Sequence, residues 1–297
     1  MTNCCVAELH EARKSFGKLT ALDGLSIQVH AGELFALLGP NGAGKTTAIS
    51  LFLGLSQPDS GCARLFGEPP QSIEARRQIG VMMQEAALAP ELRVHEQLGM
   101  VAAYYPDPLP PDAVMERTGT TELARRPYGK LSAGQKRQVQ FAMALVGRPR
   151  LLFLDEPTVG LDVRARELVW NTLQDLVAGG CSIILTTHYL EEAEVLADRV
   201  AVIAKGRLIA DGSVDDLRSL VVRKRISCRT FLSPRQVSAW PDVQSASQES
   251  DILRITTTNA ESVVRRLLAE DEDLHDLELQ RARLGEAFSE LVQGAIQ

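Results

Sequence analysis

The feature that most constrains this chain is the octapeptide GPNGAGKT at residues 39–46. It follows a run of apolar residues, Leu34–Leu38, and precedes a stretch over residues 46–53 whose apolar residues recur with helical spacing. We interpret these pieces as a buried strand, a glycine-rich loop and a helix, which is the context that a phosphate-binding loop requires. A glycine-rich turn that carries a lysine by chance would not need this context on both sides.

The chemistry of such a loop follows from its residue types. Gly39, Gly42 and Gly44 let the backbone turn sharply, so that successive N–H groups face one concavity at the positive end of the following helix. A polyphosphate fits such a concavity. We expect Lys45 to bring its charge to the β and γ phosphates and the Thr46 hydroxyl to complete the coordination of a Mg²⁺ ion.

A second feature is the pair of carboxylates at Asp155 and Glu156, directly after a run of large apolar residues. This pattern is typical of a buried parallel strand whose carboxyl end reaches a crevice, where open α/β sheets bind their ligands. We expect Asp155 to hold Mg²⁺ and Glu156 to orient or deprotonate an attacking water. The alternative, since Pro157 follows, is a helix N-terminus capped by acidic residues.

The pentapeptide LSAGQ at residues 131–135 contains no acid, base or metal ligand. It must therefore act through backbone donors, one hydroxyl and the start of a helix. We predict that Ser132 caps a helix over residues 134–145, and helix N-termini bind anions. Because the chain already has one phosphate loop, a second phosphate-binding terminus implies a second molecule.

In this order along the chain, the glycine loop, the pentapeptide and the acidic strand end resemble the ATP-binding subunit of an ABC transporter. The resemblance runs from about residue 6 to residue 220. It implies an α/β fold, the P-loop NTPase fold of the ABC ATPase type, with residues 1–220 as the nucleotide-binding domain and a helical subdomain at about residues 85–145. It also implies ATP and Mg²⁺ as cofactors, and a homodimer in which the pentapeptide of one copy closes over the ATP in the partner's loop.

The resemblance assigns roles to individual residues. Catalysis falls to Glu156, His188 and Gln84, and the metal ligands are Thr46, Gln84 and Asp155. The residues implied in nucleotide binding are Phe16, Gly39, Pro40, Asn41, Gly42, Ala43, Gly44, Lys45, Thr46, Thr47, Ser132, Gly134, Gln135 and Asp162.

Three of these residues are identified by position. His188 ends the apolar run after the acid-bearing one and matches the family's switch histidine, which reaches the γ-phosphate and holds the attacking water. The other histidines are expected to be ordinary surface or core residues. Gln84 matches the glutamine loop, whose side chain senses Mg²⁺ and the water, and Asp162 matches the residue that links the two ATP sites.

Two positions depart from the family's usual residues. Phe16 stands where the family has an aromatic residue, usually Tyr, that stacks on adenine; a core or surface Phe is the alternative. Ala133 replaces the commoner glycine. If position 133 needed a positive φ, the substitution would cost about 1 kcal/mol and weaken closure slightly.

Composition limits the classes of partner. The net charge is −6 and there is no basic stripe, so we expect no nucleic-acid partner. The five cysteines show no C-x-x-C spacing and are interpreted as reduced thiols.

No signal peptide is recognised, and no segment reaches the roughly 18 consecutive apolar residues of a membrane span. If the chain drives transport, the pore belongs to another polypeptide, and this chain is expected at the cytoplasmic face of the membrane as a peripheral subunit.

Residues 221–297 show a separate pattern. Strands are predicted at residues 225–231, 251–257 and 274–279 and a helix at 260–270, which indicates a small α+β accessory domain. The last segment, residues 283–291 (RLGEAFSEL), resembles the closing helix of ATPases that pair with ABC-2 type membrane permeases. Bacterial drug and antibiotic exporters are typical members of that branch.

Four other functions compete with export. A ribosome-associated ATPase usually has two modules, whereas Lys45, Ser132, Asp155 and His188 each occur in one motif copy. DNA-repair types have a long coiled coil between loop and pentapeptide, and residues 46–131 have no sustained heptads. An importer ATPase remains open. A subunit that binds ATP without hydrolysing it is opposed by the presence of both Glu156 and His188.

Overall fold

Runs of large apolar side chains at the centre of a parallel sheet determine the fold of the first part of the chain. The computed structural model describes residues 4–84, 86, 88–219, 224–281 and 284–296. These residues form two compact units. The first extends to Ser213 and includes the residues from Gly294 onward, and the second extends from Val214 to Gln293.

The first unit contains nine strands and seven α-helices among its described residues. The strands are β1 (Cys5–Phe16), β2 (Leu19–His30), β3 (Leu34–Leu38), β4 (Ser60–Leu65), β5 (Ile79–Met82), β6 (Leu151–Asp155), β7 (Ser182–Thr186), β8 (Arg199–Ala204) and β9 (Arg207–Gly212). The helices are α1 (Lys45–Phe52), α2 (Ile73–Arg76), α3 (Val94–Ala102), α4 (Pro111–Arg117), α5 (Ala133–Leu145), α6 (Val163–Ala178) and α7 (Leu190–Leu196).

The central sheet has the order β5-β6-β7-β3-β8-β9, and all its pairs are parallel except β8 with β9. Every residue of β3, β6 and β7 is buried, as expected for strands covered on both faces. Thr186 is level with Asp155 on one side and with Leu37 on the other. The carboxyl ends of these three strands therefore meet at one edge, where the sequence motifs follow.

Two apolar layers cover the faces of this sheet. Phe153 lies in the layer formed with α1 and the antiparallel sheet β2-β1-β4, and its ring is 6.1 Å from that of Phe52. Leu152 and Leu154 point to the opposite layer, which includes residues of α5 and α6. Successive strand residues alternate between the two layers because side chains alternate across a strand. The predicted α/β architecture is confirmed.

The elements between β5 and β6 are helical. They are α3, α4, two single turns at Thr121–Leu123 and Tyr128–Lys130, and α5. The proline-rich stretch at residues 106–111 (PDPLPP) falls between two of these helices, because α3 ends at Ala102 and α4 begins at Pro111. The predicted start of this region at Glu85 lies outside the described residues. The longest helix here, α5, has 13 residues, which is the length of a bundle element and not of a coiled-coil arm.

The second unit is an α+β fold. Its elements are α8 (Val214–Ser219), β10 (Lys224–Arg229), α9 (Pro234–Ser238), β11 (Val243–Glu249), β12 (Ile252–Thr257), α10 (Ala260–Glu270), β13 (His275–Arg281) and α11 (Leu284–Ile296), of which α11 extends past this unit at Gly294. The four strands form an antiparallel sheet with the order β11-β12-β10-β13. This connectivity, strand-helix-strand-strand-helix-strand, is that of the split βαβ or ferredoxin-like fold.

The core of the second unit explains which elements the sequence could predict. Ile226, Leu253 and Ile255 lie on the buried face of their strands and pack with Trp240, which follows α9, and with Leu267 of α10. The strands at 225–231, 251–257 and 274–279 are confirmed with shifts of a few residues, and the helix at 260–270 is confirmed. Strand β11 and helix α9 were missed, since β11 consists mostly of exposed polar residues with no apolar alternation.

Two predictions about the end of the chain involve residues outside those described. The division between residues 220 and 221 falls there, as does Arg283 at the start of the predicted closing helix. The described part of that helix is α11. Among the described residues, no helix has the length and hydropathy of a membrane span.

The cysteines of the described residues are all unpaired thiols. Burial raises the pKa of the Cys181 thiol to about 12 and that of Cys228 to about 11. A buried thiol with a raised pKa is a poor nucleophile. The buried Cys181 and Cys228 therefore act as small apolar side chains of the core.

Candidate functional site

The loop at residues 39–46 joins β3 to α1 and depends on glycine at two positions. Gly44 has a φ of 107° and a Cβ there would lie 2.6 Å from the carbonyl oxygen of Ala21 in β2. A Cβ on Gly39 would lie 2.4 Å from the carbonyl oxygen of Ile203 in β8. Backbone atoms cannot move away cheaply from such contacts, so β2 and β8 fix the path of the loop.

The Lys45 side chain turns back into this loop. Its Nζ donates to the carbonyl oxygens of Gly39 at 2.6 Å and Pro40 at 3.1 Å. Burial lowers the pKa of Lys45, and the carboxylates of Glu156 and Asp155 oppose that shift. The ammonium is thus held beside two carboxylates inside the loop, which is a position from which a polyphosphate can attract it.

The other loop residues close the turn or face outward. The backbone N–H of Ala43 donates to the carbonyl oxygen of Pro40 at 3.1 Å, and Ala43 is buried. Asn41, Gly42 and Thr46 are exposed, whereas Thr47 is half-buried in the first turn of α1. The outward residues leave the concavity open to a ligand.

Asp155 is a buried carboxylate at the end of β6 with a partner on the next strand. The Thr186 hydroxyl in β7 donates a short hydrogen bond to its Oδ1. Thr46, Gln84 and Asp155 offer hydroxyl, amide and carboxylate oxygens, which is the ligand type of Mg²⁺. The described residues include no group of three or more His, Cys, Asp or Glu that could hold a metal ion. This donor set fits an ion that keeps water and phosphate ligands and does not fit a caged metal.

Glu156 follows Asp155 in a left-handed conformation with a φ of 52°. Its N–H donates to the carbonyl oxygen of Thr186 at 2.9 Å, so it is still held by β7. The alternative of a helix N-terminus at residues 155–157 is wrong, because the next helix, α6, begins only at Val163.

His188 contacts Glu156 directly. Its Nδ1 is 2.5 Å from Oε2 of the Glu156 carboxylate, and the imidazole is about half exposed. The ring also lies against Tyr189, with 4.1 Å between the ring centroids. A carboxylate oriented by an imidazole is the arrangement of a general base with its orienting partner.

The pentapeptide forms the start of α5. Ser132 is the N-cap: its hydroxyl accepts from the N–H of Gln135 at 3.2 Å, and the Gln135 side chain accepts from the N–H of Ser132 at 3.1 Å. This reciprocal capping box confirms the predicted helix start. Ser132 is exposed, so the terminus faces outward and no hydrogen bond between the described residues joins it to the loop at residues 39–46.

Positions 133 and 134 differ sharply in what they tolerate. Ala133 is the first residue of α5 and has no positive φ, so the strain considered for an alanine there does not arise. Gly134 packs against the loop after β6, where a Cβ would lie 2.8 Å from the carbonyl oxygen of Gly160. The close contact requires glycine at 134 and not at 133.

Three further predicted residues lie at the surface. Phe16 ends β1 with 55% of its surface exposed, so it is not a core residue, and Lys14 Nζ lies 5.7 Å from its ring centroid. Gln84 is exposed after β5. Asp162 caps α6 by accepting from the N–H of Ala165 at 2.9 Å. Each side chain is accessible to a ligand or a partner.

Two residues at the site were not predicted. Thr186 holds Asp155, and Arg137 in α5 contacts the backbone after both β5 and β6. A signal for Arg137 exists: it lies four residues before the buried Phe141, on the core-facing side of the helix. Thr186 gave no signal, since a threonine is an ordinary strand residue.

The comparisons with known proteins agree with this geometry. The sequence family described as ABC transporter matches residues 22–159. The Nod factor export ATP-binding protein I of Paraburkholderia xenovorans (strain LB400) is 44% identical over 230 residues, or 74% of this chain and 74% of that protein. The protein of the same name from Rhizobium sp. (strain N33) is 38% identical over 271 residues, or 86% of this chain and 87% of that protein. The solved structure of an ATP-binding subunit of an ABC transporter has a TM-score of 0.68 and 27% identity, covering 72% of this chain and 92% of that one.

We predict that Thr186→Val lowers the free energy of unfolding by about 1–3 kcal/mol, because it leaves a buried carboxylate without its hydroxyl donor while keeping the side-chain shape. Urea denaturation measures the change. The matched control is Thr172→Val, which removes a buried hydroxyl that donates to the backbone oxygen of Leu168 at 2.7 Å. Equal losses in the two variants would show that the bond to Asp155 has no special weight.

Proposed function

The chain belongs to the ABC transporter ATP-binding proteins, which are ATPases coupled to transport, and from this premise we propose that it powers export through a separate membrane-spanning partner. The direction is supported by the similar proteins from Paraburkholderia and Rhizobium, both named for export. One observation carries the hydrolytic role: Glu156 and His188, which are distant in sequence, meet at 2.5 Å beside the phosphate loop.

Binding of ATP is assigned to the loop at residues 39–46 and its surroundings. The backbone N–H groups and the N-terminus of α1 stabilise the phosphates, and Lys45 exchanges its carbonyl partners for phosphate oxygens. Phe16, whose ring is exposed, offers a π face to the adenine. Thr47 supports the loop from the first turn of α1.

We assign Mg²⁺ to the oxygen donors of Thr46, Gln84 and Asp155. When bound, the ion neutralises negative charge on the phosphate oxygens. The protein's part is to hold Asp155 in place, which the hydroxyl of Thr186 does. Gln84, which is exposed after β5, would offer its amide oxygen from the side of β6 opposite to β7.

Hydrolysis follows from the position of Glu156. Its carboxylate orients a water for in-line attack on the γ-phosphorus and accepts the proton of that water. His188 fixes the direction of the carboxylate by the contact through Nδ1. Positioning and charge neutralisation supply most of the rate, since little covalent help is needed for phosphoryl transfer.

We assign the exposed N-terminus of α5 to the ATP of a second copy. In the capping box Ser132 accepts a hydrogen bond, so its own O–H remains available to donate to a phosphate. Two copies would then enclose two ATP molecules in a symmetric homodimer, with Gly134 and Gln135 against the nucleotide. Asp162, at the start of α6, would link the two sites.

The remaining assignments concern the partner and the domains. We propose an ABC-2 type permease as the membrane partner, and a peripheral position for this chain on the cytoplasmic face. We propose residues 1–220 as the nucleotide-binding domain, with its helical subdomain at about residues 85–145 receiving the permease. Residues 221–297 form the accessory domain, and no nucleic-acid partner is proposed.

The first prediction concerns the base. Glu156→Gln keeps the shape and ATP binding but cannot accept the proton, so kcat for ATP hydrolysis should fall by about 10²–10⁴-fold. Steady-state ATPase assays and equilibrium binding of ATP measure the two effects. The control is Glu167→Gln, the same charge change on an exposed residue of α6. Full activity of Glu156→Gln would remove Glu156 from the base role.

The second prediction concerns the shared sites. Ser132→Arg and Lys45→Ala should each abolish hydrolysis, yet an equal mixture should regain about a quarter of wild-type activity, because half the dimers have one intact site of two. The control is the double variant Ser132→Arg/Lys45→Ala mixed with wild type, whose mixed dimers contain no intact site. With shared sites this control keeps about a quarter of wild-type activity, which comes from its wild-type dimers alone. A single-variant mixture that stays inactive beside a control that keeps about half would show that the sites are not shared between copies.

The third prediction concerns export. The tagged chain captured from detergent-solubilised membranes should bring with it a multi-span membrane protein, and adding that protein should raise the Mg-ATPase rate. Lys45→Ala should capture the same partner without hydrolysis. Recovery only with ribosomes or DNA would contradict the transport role.

A further inference from the structure

Arg137 is a charged residue on the buried face of α5. Only 8% of its surface is exposed, and the next residues on this face are Phe141 and Ala144, which belong to the apolar layer. Arginine is rarely buried unless its donors are satisfied. Its position five residues after Ser132 places it on the helix that begins with the pentapeptide.

The guanidinium group is satisfied mainly by backbone carbonyl oxygens from two distant strand ends. Nη1 donates to the carbonyl oxygens of Met83 at 3.0 Å and Gln84 at 3.2 Å, after β5. Nη2 donates to the carbonyl oxygen of Asp155, the last residue of β6, at 2.8 Å and, by a short bond, to that of Glu156. One side chain thus joins the pentapeptide helix to the backbone at a metal ligand and at the general base.

These bonds are strong for a physical reason. Burial lowers the pKa of Arg137, whereas the nearby carboxylates of Asp155 and Glu156 raise it. An arginine remains charged under such conditions, and hydrogen bonds from a charged donor to carbonyl oxygens are stronger than neutral ones. The planar fork also fixes the angle between the two strand ends, which an ammonium group cannot do.

Glu156 depends on this support from both sides. Its left-handed φ of 52° is a strained conformation for a residue with a side chain. The N–H is held by the carbonyl oxygen of Thr186 at 2.9 Å, and the carbonyl oxygen is held by Arg137. The two bonds fix the peptide planes on either side of the Glu156 Cα and therefore the direction of its carboxylate toward His188.

We propose that Arg137 is a positioning residue that couples the pentapeptide helix to the hydrolytic centre. Its guanidinium group binds the backbone of both Gln84 and Glu156. When α5 moves on closure over a nucleotide, Arg137 therefore moves the backbone that positions the Glu156 carboxylate. We assign Arg137 no direct role in binding ATP or in the proton transfer. The inference rests on the proposed role of Glu156 in hydrolysis.

The test compares three replacements of Arg137 in the full chain. Arg137→Met fills the space without donors, Arg137→Lys keeps the charge without the fork, and Arg137→Ala leaves room for a free guanidinium ion. The matched control is Arg117→Met, which removes an exposed guanidinium from α4. For each variant, ATP affinity, KM, kcat and the urea midpoint are measured, and kcat is repeated with millimolar guanidinium chloride.

We expect Arg137→Met to lower kcat by about 10²-fold, with ATP affinity changed less than about threefold, because a small displacement of a catalytic group has this effect on rate. Arg137→Lys should lose nearly as much, since a point charge cannot span both strand ends. Guanidinium should raise kcat of Arg137→Ala several-fold and leave Arg117→Met unchanged.

Two results would overturn the proposal. One is a kcat of Arg137→Met within about twofold of wild type for the folded fraction, with the loss confined to the urea midpoint. The other is absence of guanidinium rescue in Arg137→Ala together with wild-type kcat in Arg137→Lys. Failure of the proposed base is distinguishable, because it appears as full activity of Glu156→Gln in the same assay. If Arg137→Met does not fold, the Lys and Ala variants decide the question.

Discussion

The pairing of β7 between β6 and β3 is the constraint on which the rest of the site depends. Because these strands are parallel, their carboxyl ends lie on one edge of the sheet, and Thr186 is level with both neighbours. Residues far apart in the sequence therefore meet without help from a ligand. The apolar layers on both faces hold this register, since a shift by one residue would exchange the side chains of the two layers.

Charge at this edge is balanced by groups from different elements. Lys45 approaches Asp155 and Glu156 from the loop after β3, and Arg137 approaches their carbonyl oxygens from α5. Two cations thus face two buried or half-buried carboxylates, with His188 against one of them. A polyanionic ligand enters a site whose cations are already placed, so little reorganisation is required.

The sequence predicted those parts of the site whose conformation depends on residues close together in the chain. The strand, glycine loop and helix around Gly44 were predictable because each has its own signal, as was the N-cap at Ser132. The carboxylates were placed correctly at a strand end, but a capped helix could not be set aside, since nothing in the sequence indicates the left-handed φ of Glu156. Arg137 was missed because its partners are backbone carbonyl oxygens, 18 to 54 residues away along the chain, which have no residue type to recognise. Strand β11 was missed because it is an edge strand that is held mainly by its backbone pairing with β12, and its side chains are mostly exposed and polar.

The close contact at Gly134 limits which substitutions the N-terminus of α5 can accept during evolution. A side chain at 134 would collide with the backbone at Gly160, which cannot retreat without moving the start of α6. Position 133, one residue earlier, points away and accepts alanine without strain. Position 133 can therefore accept substitutions over time, whereas position 134 is restricted to glycine by the backbone against which it packs.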